Sequence, residues 1–134
     1  MSTEYIVAAE ASWGSADRAA VQTAFALVKA RAAPYQFEAA FEPFGAEAEQ
    51  WLSTILDDHS HLFRSLQTFT DTAQGVSLRW SGYGSGELFL GRVLFLLRAM
   101  GLADVQGQAV GDEGADHCKV VGDGLHCECI DVEP

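Results

Sequence analysis

The order of apolar patterns along the chain predicts an α+β fold: three helices packed on a mixed or mostly antiparallel sheet of about five or six strands. Strand-like and helix-like segments alternate up to residue 100, and three strand-like segments with hairpin-length connections follow. The predicted order is β-α-β-α-β-α-β-β-β. A doubly wound α/β fold is the alternative, but its parallel strands need longer crossovers. Because 134 residues is near the usual size of one domain, residues 1–134 are predicted to form a single α+β domain.

The first third of the chain is predicted to contain two strands around one helix. Residues 5–12 are apolar without helical periodicity and are interpreted as a strand. Residues 16–32 carry apolar side chains at spacings of three and four, which predicts a helix that Pro34 ends. Residues 35–44 alternate at first between apolar and polar side chains and are interpreted as a second strand.

The rest of the chain contains the clearest helical patterns. Residues 46–69 have a continuous apolar stripe and are predicted to be one helix. Residues 76–84 alternate and predict a strand. Residues 86–100 are apolar almost all round, which is typical of the most buried helix. The last three predicted strands form a β-meander and cover residues 104–110, 117–121 and 125–131.

The negative charge is large and unevenly distributed. The formal net charge is −11. Residues 36–58 hold six acids and no Lys or Arg, and residues 104–134 hold eight acids and one Lys. Nucleic acids and anionic membranes are disfavoured as partners, because both are bound through basic patches. A basic protein would be attracted, so the charge favours a basic protein partner.

All three cysteines lie close together near the C-terminus, as Cys118, Cys127 and Cys129. A two-residue turn at Asp123-Gly124 would pair Cys118 with Cys129 and place the three thiols on one strand face. A three-residue turn would scatter them over both faces. We expect small apolar thiols that line the core and stay reduced in the cytoplasm. A zinc site that uses all three thiols is the alternative, although the C-x₂-C spacing typical of such sites is absent.

A second polar cluster, Asp57-Asp58-His59-Ser60-His61, falls within the predicted helix 46–69. Helical spacing puts Asp57 and His61 on one side, and turns His59 towards the apolar stripe. The pattern predicts a solvated acidic face and a buried histidine. It does not predict a metal site, because two or three ligands rarely suffice.

The hypothesis of function rests on the negative charge of the chain and on the absence of recognised catalytic motifs from its sequence. No nucleophile elbow, metalloprotease motif or kinase motif is present, so no catalytic residue or cofactor is predicted. The hypothesis is a small acidic cytoplasmic module that binds, and neutralises or regulates, a more basic protein, as immunity proteins and antitoxins do. The alternatives are a metal- or thiol-dependent protein and a homo-oligomer, such as a homodimer, with a structural or ligand-sensing role. The predicted partner-binding residues are Glu38, Glu42, Glu47, Glu49, Trp51, Asp57, Asp58, Asp112, Glu113 and Asp116.

Overall fold

The computed structural model describes residues 4–112 and 114–130. These residues form one antiparallel sheet of six strands with helices packed on one face. The strands are β1 (Glu4–Ser12), β2 (Leu66–Asp71), β3 (Gly75–Tyr83), β4 (Ala103–Gly111), β5 (Gly114–Val121) and β6 (Gly124–Ile130). The helices are α1 (Arg18–Lys29), α2 (Pro34–Phe41), α3 (Ala46–Phe63) and α4 (Gly86–Ala99), with a 3₁₀ turn at Glu42–Phe44.

The sheet order is β2-β3-β1-β4-β5-β6, and every neighbouring pair is antiparallel. Alternate side chains of each strand, such as Val7, Leu78 and Ala109, face the helices and are buried. The prediction of an α+β fold on a mostly antiparallel sheet is therefore confirmed. The structure has four α-helices where three were predicted, and the element order differs in two places.

The predicted strand 35–44 is wrong, because this segment forms α2 and the 3₁₀ turn. Pro34 occupies the first turn of α2, where a missing N–H has no cost. The side chain of Gln36 accepts a hydrogen bond from the Ala33 N–H at 2.9 Å and caps the helix start. Phe37 and Phe41 are fully buried four residues apart. The apolar period of this segment is thus helical, and the short alternation seen in the sequence is misleading.

The predicted helix 46–69 is too long, because α3 ends at Phe63 and β2 begins at Leu66. Within β2, Phe69 faces the helices and stacks on Phe25 of α1, with ring centroids 5.5 Å apart. Asp71 lies on the same face of β2, where the side chains of Arg18 and Gln22 both donate to its carboxylate. Contacts with α1, which is distant in sequence, therefore turn the last part of the apolar stripe into an edge strand.

The helix predicted to be the most buried, α4, lies across the middle of the sheet and packs on β1, β4 and β5. Its Phe89 makes edge-to-face contact with Trp80 of β3 at 5.3 Å. The indole N–H of Trp80 donates to the carbonyl of Phe63 at 2.9 Å, which links the sheet to the end of α3. Among the described residues, no helix combines the length and the apolar character needed to cross a membrane.

The β5–β6 hairpin has a register that differs from both sequence-based alternatives. Its loop is Gly122-Asp123, with Val121 opposite Gly124. Gly122 has φ +60°, and it stands at the first central position, where type II′ hairpin turns place a glycine. The predicted pairing of Cys118 with Cys129 is therefore wrong, because Cys118 lies opposite Cys127. The two registers differ by two residues, so the three cysteines still share one face, as the first alternative predicted.

Candidate functional site: an acidic helical surface

The exposed carboxylates that lie outside the sheet are concentrated on three consecutive elements, α2, the 3₁₀ turn and α3. We call this set the acidic helical surface. All of its members are solvent-exposed, and none forms an ion pair with another residue in the described part of the chain. The members are Glu38, Glu42, Glu47, Glu49 and Asp57.

Helical spacing divides the polar residues of α3 into two rows. Glu49, Ser53 and Asp57 follow one another at steps of four and point away from the core. Glu47 and Trp51, also four residues apart, lie on a second side of α3, where Trp51 contacts Phe95 of α4. The first turn of α3 contains Glu47 and Glu49, where negative charge is favoured by the helix dipole. The helix dipole therefore offsets part of the repulsion between these two acids.

An aromatic pair lies beside the acids. The indole of Trp51 stacks on the ring of Phe95 from α4, with centroids 5.0 Å apart and planes inclined by 15°. Both side chains are only half-buried. Leu88, which precedes Phe95 by seven residues in α4, is 50 % exposed. Trp51 thus offers a partly exposed, rigidly held aromatic surface next to Glu47, in an arrangement that interfaces use as an anchor.

Asp58 has a different environment from the rest of the predicted acidic set. Its Oδ2 accepts a hydrogen bond from Arg92 of α4 at 2.6 Å. Arg92 Nη1 also lies 3.1 Å from Nε2 of His59. The negative charge of Asp58 is therefore balanced within the protein, and Asp58 contributes less attraction for a basic partner than its unpaired neighbours.

The predicted burial of His59 is confirmed, since only 7 % of this residue is exposed. Its ring makes edge-to-face contact with Phe89 at 5.6 Å. Its backbone is not helical, with φ −137° and ψ 26°, so α3 is kinked at this position. Burial lowers the pKa of His59 below its ordinary value, Arg92 lowers it further, and Asp58 opposes both effects. The surroundings of His59 therefore favour its neutral form, an effect that the sequence pattern did not predict.

The other predicted acidic residues lie elsewhere in the fold. Asp112 is exposed in the β4–β5 turn, and Asp116 is half-buried on the helix-facing side of β5. Glu113 lies outside the described residues. Because α3 packs on β3 whereas Asp116 belongs to β5, the two predicted groups of acids are on different halves of the sheet. The fold does not unite them into one surface.

The cysteines are not the reduced thiols expected from the sequence. Cys118 and Cys127 form a disulfide across β5 and β6, with Cα atoms 4.1 Å apart. Cys129 is free and exposed. The zinc alternative needs thiolate ligands, and a disulfide supplies none. No group of three potential metal-ligating side chains is found within residues 4–112 and 114–130.

The face of the sheet opposite the helices carries a polar depression that the sequence did not predict. Its volume is about 350 Å³, and its lining includes Glu10, Ser12, Asp104 and Gln106. Gln106 Nε2 donates to Glu10 at 2.9 Å, and Ser12 Oγ donates to Asp104 at 2.8 Å. The β1–β4 pairing has a bulge between Glu10 and Ser12. The carboxylates of Glu10 and Asp104 are therefore hydrogen-bonded to side chains of the neighbouring strand.

The apolar segment 88–102, the candidate interface of a homo-oligomer because it is the most apolar run of the chain, is mostly buried inside the fold. Phe89, Leu90, Val93 and Leu94 are fully buried, and only Leu88 among its large side chains is exposed. This segment therefore has little apolar area left with which to drive self-association.

Comparison with known proteins does not add to these geometric observations. No protein-family model matches the chain, and no curated protein or solved structure matches it at a significant level.

Proposed function

We propose that this chain is an acidic protein-binding module that docks a more basic protein on the acidic helical surface and so neutralises or regulates it. Immunity proteins and antitoxins act in this general way. The observation that carries the proposal is a set of five exposed carboxylates on α2, the 3₁₀ turn and α3 that form no ion pair with described residues. Their charge is available to a partner because it is not neutralised within the fold.

The electrostatic part of this function is fast association. A surface dense in one sign of charge raises the encounter rate with an oppositely charged protein by roughly 10- to 1,000-fold at low salt. The net charge of −11 adds a long-range attraction of the same sign. Salt screens such attraction beyond about 8 Å at physiological ionic strength. Association with the partner should therefore slow steeply as salt is added.

The aromatic part of the function is slow dissociation. Trp51 is held by its stack on Phe95, so little side-chain freedom is lost when a partner covers it. Interfaces often derive most of their binding energy from a few such aromatic anchors surrounded by polar residues. We assign Trp51 the anchor role, with Glu47 on the rim and Glu49 and Asp57 further out on α3.

The test is a selection of random 16-residue peptides displayed on phage against the intact protein. We expect enrichment of Lys- and Arg-rich peptides that also contain an apolar residue. Enriched peptides are then synthesised, and their association rates are measured between about 50 and 500 mM salt, which covers roughly one decade around physiological ionic strength. Trp51→Ala should mainly increase the dissociation rate, because it removes contact area and leaves the charge unchanged.

Two matched variants locate the surface, because each removes four negative charges. The test variant replaces acids of the acidic helical surface, and the control replaces acids on the open sheet face and at the start of α4. The test positions are Glu38, Glu42, Glu47 and Glu49, and the control positions are Glu4, Glu10, Glu87 and Glu128, all changed to Gln. We expect the test variant to slow association about tenfold or more at low salt and the control to change it much less. Equal effects in both variants, or peptides without basic residues, would refute the proposal.

A further inference from the structure

Three sulfur atoms lie on one face of the β5–β6 hairpin. Cys118 is bonded to Cys127 directly opposite, and Cys129 is a free, exposed thiol two residues further along β6. We propose that these cysteines form a thiol-exchange site in which Cys118 bonds either Cys127 or Cys129, and that each bond holds the hairpin in a different register. The inference is independent of the acidic helical surface.

In the observed register, Cys129 cannot replace Cys127 without movement of the strand. Cys129 lies opposite Asp116, so it is a diagonal neighbour of Cys118. Diagonal Cα atoms across an antiparallel pair are about 7–8 Å apart, which is beyond the usual reach of a disulfide. A slide of β6 by two residues along β5 brings Cys129 directly opposite Cys118. The Cys-x-Cys spacing of Cys127 and Cys129 is equal to this slide.

The slide preserves the pleat of both strands. In the observed register, Val121 and Gly124 close the two-residue loop as a hydrogen-bonded pair, so Cys118 stands at a non-hydrogen-bonded position towards β6. A slide of β6 by two residues keeps every side chain on its original face and brings Cys129 to the same kind of position opposite Cys118, where Cα atoms are about 4.5 Å apart. In the slid register Val121 lies opposite His126, and residues 122–125 form the loop.

The slide disturbs only a small part of the fold. β6 is an edge strand and pairs with β5 alone, so one hydrogen-bond ladder is broken and re-formed. The observed register is favoured by the ion pair between Arg98 of α4 and Asp123 at 2.6 Å. It is also favoured by Leu125, which packs closely against Gly91 of α4. The slide breaks both contacts. Formation of the Cys118–Cys129 bond therefore exposes the surface of α4 around Gly91 and Arg98.

The exchange is balanced and consumes no oxidant. The thiolate of Cys129 attacks the sulfur of Cys118, the Cys118–Cys127 bond breaks, and a Cys118–Cys129 bond forms. Cys127 leaves as a thiolate and takes a proton from water. Cys129 gave one proton to water before the attack, so the exchange causes no net gain or loss of protons. A small thiol together with its disulfide, such as reduced and oxidised glutathione, brings the Cys118–Cys127 form and the Cys118–Cys129 form to the same equilibrium.

Two glycine variants of the full chain test the proposal. Gly122→Ala penalises the observed register, because the Gly122-Asp123 loop needs φ +60° at this residue. Gly45→Ala is the matched control, because Gly45 also has a positive φ, lies far from the hairpin and has open space for a Cβ atom. We expect Gly122→Ala to raise the ratio of the Cys118–Cys129 bond to the Cys118–Cys127 bond by roughly fivefold or more, and Gly45→Ala to leave this ratio unchanged.

The ratio is measured after equilibration in glutathione buffer, acid quenching and alkylation of the remaining thiol. Trypsin cleaves after Lys119 and a glutamyl endopeptidase cleaves after Glu128, so the fragments that contain Cys118, Cys127 and Cys129 separate and mass spectrometry identifies each bond. The same ratio in both glycine variants and in the unmodified protein would overturn the proposal.

Cysteine variants provide the second measurement. With Cys127→Ser, we expect an intramolecular Cys118–Cys129 bond and a cross-strand Hα–Hα nuclear Overhauser effect between these two residues. Cys129→Ser should form only the Cys118–Cys127 bond. The proposal fails if the Cys127→Ser protein keeps two free thiols, or links only between chains, in a buffer where Cys129→Ser oxidises. If Cys127→Ser does not fold, the glycine variants decide the question alone.

Discussion

Arg92 of α4 and Asp58 of α3 form a hydrogen-bonded ion pair, with Nη1 and Oδ2 separated by 2.6 Å. The same Arg92 nitrogen lies 3.1 Å from Nε2 of His59. Arg92 therefore bridges the two helices at the position where the backbone of α3 departs from helical geometry. A neutral imidazole can accept the hydrogen bond from Arg92, whereas a protonated one cannot, so the geometry and the lowered pKa of His59 agree.

Arg92 and Asp58 should change the pKa of His59 in opposite directions. Arg92→Met removes a positive charge that lowers the pKa, so the pKa should rise towards its ordinary value. Asp58→Asn removes a negative charge that raises it, so the pKa should fall further. Titration of the His59 ring protons by nuclear magnetic resonance measures both shifts. Shifts of the same sign in the two variants would contradict the arrangement described here.

The stability of the protein should decrease in mildly acidic solution because of His59. Its folded-state pKa is lowered, so the unfolded chain binds a proton at this residue before the folded protein does. The free energy of unfolding should therefore fall as the pH decreases below about 6.5, the ordinary histidine value. Denaturant titrations between about pH 7.5 and 5 measure this slope. In His59→Gln the slope should be smaller, and an unchanged slope would assign the effect to other groups.

Trp80 should be among the most sensitive positions in the core. It is fully buried, and its indole N–H donates to the Phe63 carbonyl at 2.9 Å. Trp80→Ala should cost about 3–5 kcal/mol in the free energy of unfolding, because it leaves a cavity and an unsatisfied carbonyl. Tyr35→Ala is the matched surface control. Since Tyr35 is 72 % exposed, its loss should cost about 0.5 kcal/mol or less.

Reduction of the disulfide should weaken the fold measurably. The Cys118–Cys127 bond has a sequence separation of 9. Closing a loop of about this length stabilises a protein by roughly 2–3 kcal/mol through the entropy of the unfolded chain. Urea unfolding with and without a thiol reductant measures the difference. The double variant Cys127→Ser/Cys129→Ser cannot form a bond within the chain, so a reductant should not affect it.

Part of the candidate site could be predicted from the sequence. The acids of 36–58 are exposed because charged residues seldom enter a core, and five of them remain without a described ion pair. The spacing of α3 also placed His59 on the buried side. The stack of Trp51 on Phe95 and the pairing of Asp58 with Arg92 could not be predicted, because each joins residues of two helices that are far apart in sequence.

The sequence by itself determined three elements, because their local signals did not conflict. The predicted helix 86–100 corresponds to α4 (Gly86–Ala99), and the predicted helix 16–32 contains α1 (Arg18–Lys29). The predicted strand 5–12 likewise corresponds to β1 (Glu4–Ser12). The apolar face of α1 repeats with the helical period, whereas the segments of β1 and α4 are continuous apolar runs whose lengths suit a strand and a helix respectively.

Only the tertiary structure decided the segments for which local signals were short or equal. The spacing of Phe37 and Phe41 fits both an alternating and a helical pattern. In the fold, Phe41 packs on Phe25 and Phe37 packs on Phe63, and these contacts favour the helix. In the β5–β6 hairpin, two overlapping turn sequences are locally acceptable. The contacts of Arg98 and Leu125 with their neighbours favour one register, and that register determines which cysteine lies opposite Cys118. Pairing of strands depends on packing across the fold, which no local pattern in the sequence contains.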